Sequence, residues 1–324
     1  MNNDVEASTN ASTIIGIDVG GTKTAVVEGT LTGDILHRQT LPTEGSRPFS
    51  ETFPALSARV ASAVATATSA GRRPTAISVA VAGPLDAAAG CLLDPPNLPG
   101  WHNVALRSAL EARFPSYPVF LEHDAKAGAL AEFRFGAGAT RPGLRDMVFL
   151  TFGTGNGAGI IVGGQLVRGA NEMAGEVWAM PVLPDESMRL RTTEDGWESV
   201  SSGRGLLSIA RRLYPARWGP HSQIRDVVDA ALAGDGDALE VVDESGLWLG
   251  AGLAAVVSIL NPQLVVVGSL ACVLGDRLLA PARAMLARHA LPRAVAACEI
   301  VPGALGSRLG DVQSLMAAVV SPAR

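Results

Sequence analysis

The chain has 324 residues, enough for two domains of ordinary size with buried cores. Lys plus Arg number 26 against 31 Asp plus Glu, a net charge of -5, and no dense basic cluster occurs, which argues against nucleic acid as a partner. Hydrophobic residues make up 48%, yet no unbroken apolar run reaches the roughly 18 to 20 residues of a membrane span, so no membrane segment is expected. The polar opening MNNDVEASTNAST lacks the cationic start and apolar stretch of a secretory signal and reads as a flexible tail of 13 residues. Cys91, Cys272 and Cys298 are odd in number, far apart and outside any CxxC spacing; they read as buried thiols of a cytoplasmic protein rather than as disulfides or zinc ligands.

In chain order, Ile14 to Val19 is β-rich, Gly20-Gly21 interrupts it, and Thr24 to Glu28 resumes extended character. Thr32-Gly33-Asp34 then predicts a hairpin turn before a third strand at ILHRQT. Residues 50–70 carry apolar residues at helical spacing and stop near Gly71, and the strand TAISVAVAG follows. In LEHDAKAGALAEFRFG, residues 121–136, Asp124 precedes an alanine-rich helix from Ala125 to Phe133. Residues 146–170 repeat the opening grammar: strand, Gly/Thr-rich turn, strand, Gly-Gly hairpin, strand. That self-similarity implies an internal duplication, with two glycine-rich turns facing one cleft. GLLSIARRLY and DALEVVDESGLWLGAGLAAVVSILNP predict helices, QLVVVGSLA a buried parallel strand, and GDVQSLMAAVVSPA a closing helix. Meanders mixed with crossover helices indicate an α/β fold.

The chemistry concentrates in the two turns. In DVGGTKT, glycines allow positive φ and close backbone approach, so successive N–H groups can point at an anion. Thr22 and Thr24 add hydroxyls, and Asp18 can hold a hydrated divalent cation. The stretch matches neither GxxxxGK[ST] nor a GxGxxG that opens a helix. TFGTGNGAG, from Thr151 to Gly159, repeats the composition. Asp124 has two compatible readings, helix cap and proton acceptor.

These turns, in this order and separation, resemble the ROK family of the actin-like/hexokinase ATPase superfamily. The resemblance also covers VAGPLD, PPNLPGW, HDAKAGALAE, NEMAGE, ESVSSG and NPQLVVVGS. It implies two actin-like (ribonuclease H-like) lobes with a cleft between them, drawn here at residues 1–123 and 124–324, the last helix packing back on the first lobe. It implies ATP and Mg²⁺ as cofactors, a homodimer, and phosphorylation of the primary, 6-type hydroxyl of a hexose. Carried over residue by residue, Asp124 becomes the catalytic base, and Gly83, Asn97, His123, Glu176 and Glu198 line the acceptor. Gly20, Gly21, Thr22, Lys23, Thr151, Gly153, Thr154, Gly155 and Gly268 bind the nucleotide, and Asp18 holds Mg²⁺ through water.

Two departures stand out. Many members carry a Gly-Glu-x-Gly-His run followed by zinc-binding cysteines; here the run is GEVWAM, and 181–203 contains no cysteine, so no structural zinc is expected. Packing by Trp178 and Trp197 is the alternative means of fixing the loop that carries Glu198. His123 also replaces the asparagine of the family's Asn-Asp-Ala motif, an imidazole in place of an amide. An intact phosphate apparatus beside an altered acceptor wall implies a modified acceptor, such as kanosamine or a C7-cyclitol of antibiotic biosynthesis. Plain glucose is the runner-up, then an N-acylhexosamine. The reading in which His123 turns toward the backbone and the substrate is unchanged stays open. A sugar-responsive ROK regulator is the remote alternative, since its DNA-binding domain would precede the first glycine turn.

Overall fold

The computed structural model describes residues 12–182 and 196–320. Most of the expected N-terminal tail and of the cysteine-free 181–203 stretch lies outside the described residues. The chain divides into two compact units. The first runs to Phe135 and adds Arg168–Met173 and Ser307 onward; the second holds Gly136–Val167 and Ala174–Gly306. The boundary therefore falls at Phe135, not at residue 123, because the helix headed by Asp124 packs on strands and helices of the first unit.

The first unit contains β1 (Ser12–Val19), β2 (Lys23–Thr30), β3 (Ile35–Pro42), α1 (Phe49–Ser69) and β4 (Arg73–Val81). The short pair β5 (Leu85–Asp86) and β6 (Cys91–Leu92), α2 (Leu106–Arg113), β7 (Val119–His123) and α3 (Asp124–Phe135) follow. Its sheet order is β3-β2-β1-β4-β7. β1 pairs antiparallel with β2 and parallel with β4, so IIGIDV lies at the sheet centre and needs apolar side chains on both faces. β3, on the edge, alternates between partly buried and exposed residues. Gly33 closes the β2–β3 hairpin with φ of 84°, at the expected turn. Helix α1 covers the sheet with Leu56, Val60, Ala63 and Ala67, a helical spacing that matches its buried stripe.

The second unit begins with β8 (Met147–Leu150), β9 (Ala158–Val162) and β10 (Gln165–Leu166). Then come α4 (Gly203–Leu213), α5 (Ile224–Leu232), α6 (Gly236–Leu260), β11 (Leu264–Val267), α7 (Leu270–Leu274), α8 (Asp276–His289), α9 (Pro292–Ala297) and β12 (Glu299–Pro302). The sheet order β10-β9-β8-β11-β12 repeats the first sheet strand for strand, antiparallel on one side of the leading strand and parallel on the other. The duplication inferred from the repeated meander is thus present in the topology. Gly163 and Gly164, with φ of 60° and 80°, make the Gly-Gly hairpin.

Helix α6 is long and apolar enough by length and composition to cross a membrane, with a mean hydropathy of 1.3 over 18 residues. It is the core helix of this unit: Val241, Leu249, Leu253 and Val257 are buried, and Gly246 admits Pro281 and the Leu278 carbonyl of α8 where a Cβ would lie 2.5 and 2.6 Å away. Asp235 caps its start by accepting the Ala238 N–H at 3.0 Å, and Asn261 ends it in the left-handed region.

Two expectations need correction. The closing helix is broken into α10 (Leu309–Gln313) and α11 (Met316–Val319). Ser314 sits at the break and its hydroxyl donates to the Asp311 carbonyl at 2.7 Å, a local bond that competes with helix propagation. The three cysteines form no disulfide and are only partly buried, not core thiols; burial and the neighbouring Glu299 charge push Cys298 up to about 11.

Candidate active site

In the first unit, β1 delivers Asp18 beside Val19, and the turn to β2 is closed by Gly20 N–H donating to the Lys23 carbonyl at 3.1 Å. Gly21, Thr22 and Lys23 are exposed at its tip. Neither glycine uses a positive φ, contrary to the expectation for this turn. Gly21 is needed for proximity: a Cβ there would lie 3.1 Å from the Asn97 carbonyl and 3.2 Å from the Asn97 Cβ. The structure therefore brings Asn97 against the first glycine turn. Thr24 does not point toward a ligand. Its hydroxyl is buried and shares a 2.8 Å hydrogen bond with Thr43, whose own hydroxyl donates to the Gly20 carbonyl at 2.6 Å.

Asp18 Oδ1 accepts from Gln313 Nε2 at 2.8 Å. Burial pushes its carboxyl up to about 7, the Gln313 bond opposes that shift, and the charges of Asp124 and Asp311 add to it. A part-buried carboxylate facing like charges suits a hydrated divalent cation whose other ligands come from phosphates and water. Among the described residues no cluster of three or more His, Cys, Asp or Glu could hold an ion by itself.

β7 ends in His123 and α3 starts at Asp124, so the two side chains leave a strand-to-helix junction. Asp124 Oδ1 accepts the Ala125 N–H at 2.7 Å, which makes it a helix-start acceptor while its side chain stays 36% exposed. His123 Nδ1 accepts the same N–H at 3.2 Å and lies 3.2 Å from Asp124 Oδ1. The Cδ2–Nε2 edge of the ring lies against Gly83, where a Cβ would fall 2.6 and 2.8 Å from those atoms. One nitrogen of the imidazole is thus turned to the backbone, and Gly83 makes room for the other edge.

Charged residues that the sequence reading passed over brace this junction. Glu122 is buried; it accepts the His123 N–H at 3.0 Å and the Arg168 guanidinium at 2.6 Å. Arg168 also pairs with Glu172 at 2.8 Å, and buried Lys126 donates to the Glu172 carbonyl. The signal available was Arg168 and Glu172 at i,i+4 in a stretch otherwise rich in Gly and Ala, but their partners are 46 residues away.

In the second unit the turn after β8 folds on itself. Thr151 N–H donates to the Gly157 carbonyl at 2.8 Å, the Gly157 N–H returns to the Thr151 hydroxyl at 2.8 Å, and Gly153 N–H reaches the Gly155 carbonyl at 3.1 Å. Gly203 N–H and Arg204 N–H at the start of α4 donate to the Gly153 and Thr154 carbonyls at 2.7 and 3.3 Å. Glu198 meets this turn directly: its Oε2 accepts the Asn156 N–H at 2.9 Å, its Oε1 lies 3.5 Å from Arg204, and a Cβ on Gly155 would come within 2.6 Å of it. Gly268 ends β11 against the Phe149 ring, and Ser269 Oγ stands 3.4 Å from where a Gly153 Cβ would be, so the β11 turn adjoins the glycine turn.

Glu176 follows Gly175, whose φ of 94° and contact with the Ala158 carbonyl leave no place for a side chain. Its Oε2 accepts Trp178 Nε1 at 2.8 Å, and Trp178 is half exposed. Trp197 behaves differently. It is fully buried over Gly252, donates to the Trp248 carbonyl at 3.0 Å, and its N–H meets the Met180 carbonyl at 2.9 Å next to a Pro181–Gly196 bridge. Trp197 therefore anchors the Glu198 segment by packing, whereas Trp178 contacts Glu176.

A duplicated five-stranded α/β unit, each copy carrying a glycine-rich turn after its leading strand, is the actin-like ATPase fold of sugar kinases. The chain belongs to the ROK family, whose sequence pattern matches residues 14–318. It is 31% identical to a glucokinase of Streptomyces coelicolor over 92% of this chain and 95% of that protein. A ROK family glucokinase from Streptomyces griseus, solved with glucose and AMPPNP, is 30% identical with a TM-score of 0.73, covering 93% of this chain and 97% of that one. A putative xylose repressor of Caldicellulosiruptor is 28% identical over 88% of this chain and 73% of its own length.

Proposed function

We propose that this protein is a cytoplasmic ATP- and Mg²⁺-dependent sugar kinase that phosphorylates the primary hydroxyl of a hexose or hexose-like acceptor. The observation that carries the proposal is Asp124: a part-exposed carboxylate fixed at a strand-to-helix junction, in the same unit as the Asp18 glycine turn. Held by the Ala125 N–H, it accepts the acceptor's hydroxyl proton and orients that oxygen. Phosphoryl transfer depends mainly on positioning and charge neutralisation, so the base needs no raised pKa. Asp18 holds the cation through water, and the bound cation supplies neutralisation of the phosphate charge. Backbone N–H groups of Gly20 to Lys23 and of Thr151 to Gly155, with Gly268 beside them, take the nucleotide. Gly83, Asn97, His123, Glu176 and Glu198 read the acceptor.

The acceptor proposed is a modified hexose such as kanosamine or a C7-cyclitol of secondary metabolism, because His123 puts a larger imidazole where the family's motif carries an amide that both donates and accepts. Glucose is the second reading, favoured by the half of the imidazole that is turned to the backbone and by the two Streptomyces glucokinases. A coupled ADP-release assay across glucose, mannose, N-acetylhexosamines, kanosamine and valiolone-type cyclitols tests both. Preference for an amino sugar or cyclitol supports the first, and equally efficient use of glucose refutes it. No release with any acceptor, together with a gel shift on genomic fragments, would replace the kinase by a regulator. Homodimer formation belongs to the same proposal and is read by light scattering.

A further inference from the structure

The C-terminal segment comes back to Asp18 from 295 residues away and sets two positions of one helix face against its carboxylate. Gly310 and Gln313 are three apart in α10 and so share that face. Gln313 Nε2 donates to Oδ1 at 2.8 Å. At Gly310 a Cβ would lie 2.8 Å from Oδ2, so glycine leaves that oxygen uncovered. The helix does not need the amide for docking. Arg38 holds Asp311 with two contacts of 2.8 and 2.9 Å from its Nε, and fully buried Ser314 fills the space left by Gly16. A polar side chain that the anchor does not require, aimed at the one carboxylate of the turn, has an orienting role.

We infer that Gln313 is a positioning residue: it fixes Asp18 Oδ1, so that Oδ2, beside Gly310, is the oxygen available to the hydrated cation of the nucleotide. This rests on the nucleotide reading of Asp18. A substitution at Gln313 acts on cation-dependent nucleotide binding, and does so before any chemistry.

The test is ADP affinity by calorimetry, with Mg²⁺ and with EDTA, for the wild type and for Gln313→Met, Gln313→Ala, Asp18→Asn and Arg38→Met. Met keeps the length of the side chain and removes the donor; Ala serves if Met distorts α10. The expected result is that Mg²⁺ tightens ADP binding in the wild type and that this gain falls roughly tenfold in both Gln313 variants, the scale of one hydrogen bond to a charged group. Affinity in EDTA stays at the wild-type value, and Arg38→Met, which loosens the anchor while leaving the Gln313–Asp18 hydrogen bond in place, keeps most of the gain although the Arg38 charge also bears on Asp18. An undiminished gain in both Gln313 variants overturns the inference, as does an equal loss in Arg38→Met, which would mark docking alone. ADP binding that is indifferent to Mg²⁺ in the wild type also overturns it while leaving the nucleotide site standing. Absence of ADP binding in the wild type removes the kinase reading itself.

Discussion

The two glycine turns follow the leading strands of two sheets with the same order, yet they are held by different chemistry. The first is closed by the Gly20–Lys23 main-chain bond and the Thr43 hydroxyl on Gly20, and its unit adds side-chain charges at the Asp124 junction and behind Asp18: Glu122 with Arg168, Lys126 with Glu172, Arg38 with Asp311, and Gln313 on Asp18. Around the second, main-chain bonds predominate, from Thr151 to Gly157 and from α4 back to Gly153 and Thr154, with Glu198 capping Asn156. The first unit keeps titratable groups near its turn, and the second keeps a self-closed loop. That difference teaches that one duplicated framework can surround its leading strand with charged side-chain pairs in one copy and close its glycine turn largely with main-chain hydrogen bonds in the other.

The largest expected effect falls on the charged side. Arg168→Met leaves Glu122 buried without its cation and should cost about 3 kcal/mol of stability in denaturant titration, near the lower end of the range for breaking a buried pair because Arg168 itself is 40% exposed. A cost near zero would mean that the strand-to-helix junction at Asp124 does not depend on charge. Gly155→Ala comes next, on the backbone side. The new Cβ meets Glu198 Oε2 at 2.6 Å, and displacing that carboxylate from Asn156 should strain the turn by about 1 kcal/mol and lower nucleotide affinity accordingly. Calorimetric ADP affinity measures it.

Asp18 gives the third prediction. Burial raises its folded carboxyl to about 7, above the ordinary carboxylate value of 3.8, so between those values the folded state binds more protons than the unfolded one. Its contribution to stability is full below about pH 4 and is lost as pH rises through 7. Without nucleotide or Mg²⁺, Asp18→Asn should therefore gain in thermal midpoint over the wild type from pH 5 to pH 8, and a gap constant with pH contradicts the account. Gly21→Ala is the smallest: its Cβ stands 3.1 to 3.2 Å from Asn97, which can shift because it is exposed. Less than about 1 kcal/mol of lost nucleotide affinity is expected, against the larger loss at Gly155.

The strands and their duplication were readable because β-rich runs, Gly-rich turns and Gly-Gly hairpins recur in the same order, and both sheets follow that order. Local signals served less well where long-range contacts decide. Thr24 looked like a ligand hydroxyl but is consumed by Thr43. Of the two uses expected of the turn glycines, positive φ and close approach, only close approach is found, at Gly21 to Asn97 and at Gly155 to Glu198. The α10–α11 break depends on a single Ser314 hydroxyl, and Gln313 finds Asp18 across 295 residues, a pairing no local pattern encodes. Trp178 and Trp197 looked equivalent in sequence, and burial and their hydrogen-bond partners separate them.

The most direct test of the central claim is turnover by Asp124→Asn. Asparagine keeps the size and a hydrogen-bonding oxygen for the Ala125 N–H, so the helix start and the thermal midpoint should stay near wild type. In an ADP-release assay with the acceptor that the wild type uses best, the account predicts a fall in kcat of about 10²- to 10⁴-fold with ADP affinity unchanged. Near-normal kcat in the folded variant would contradict Asp124 as the group that receives the proton.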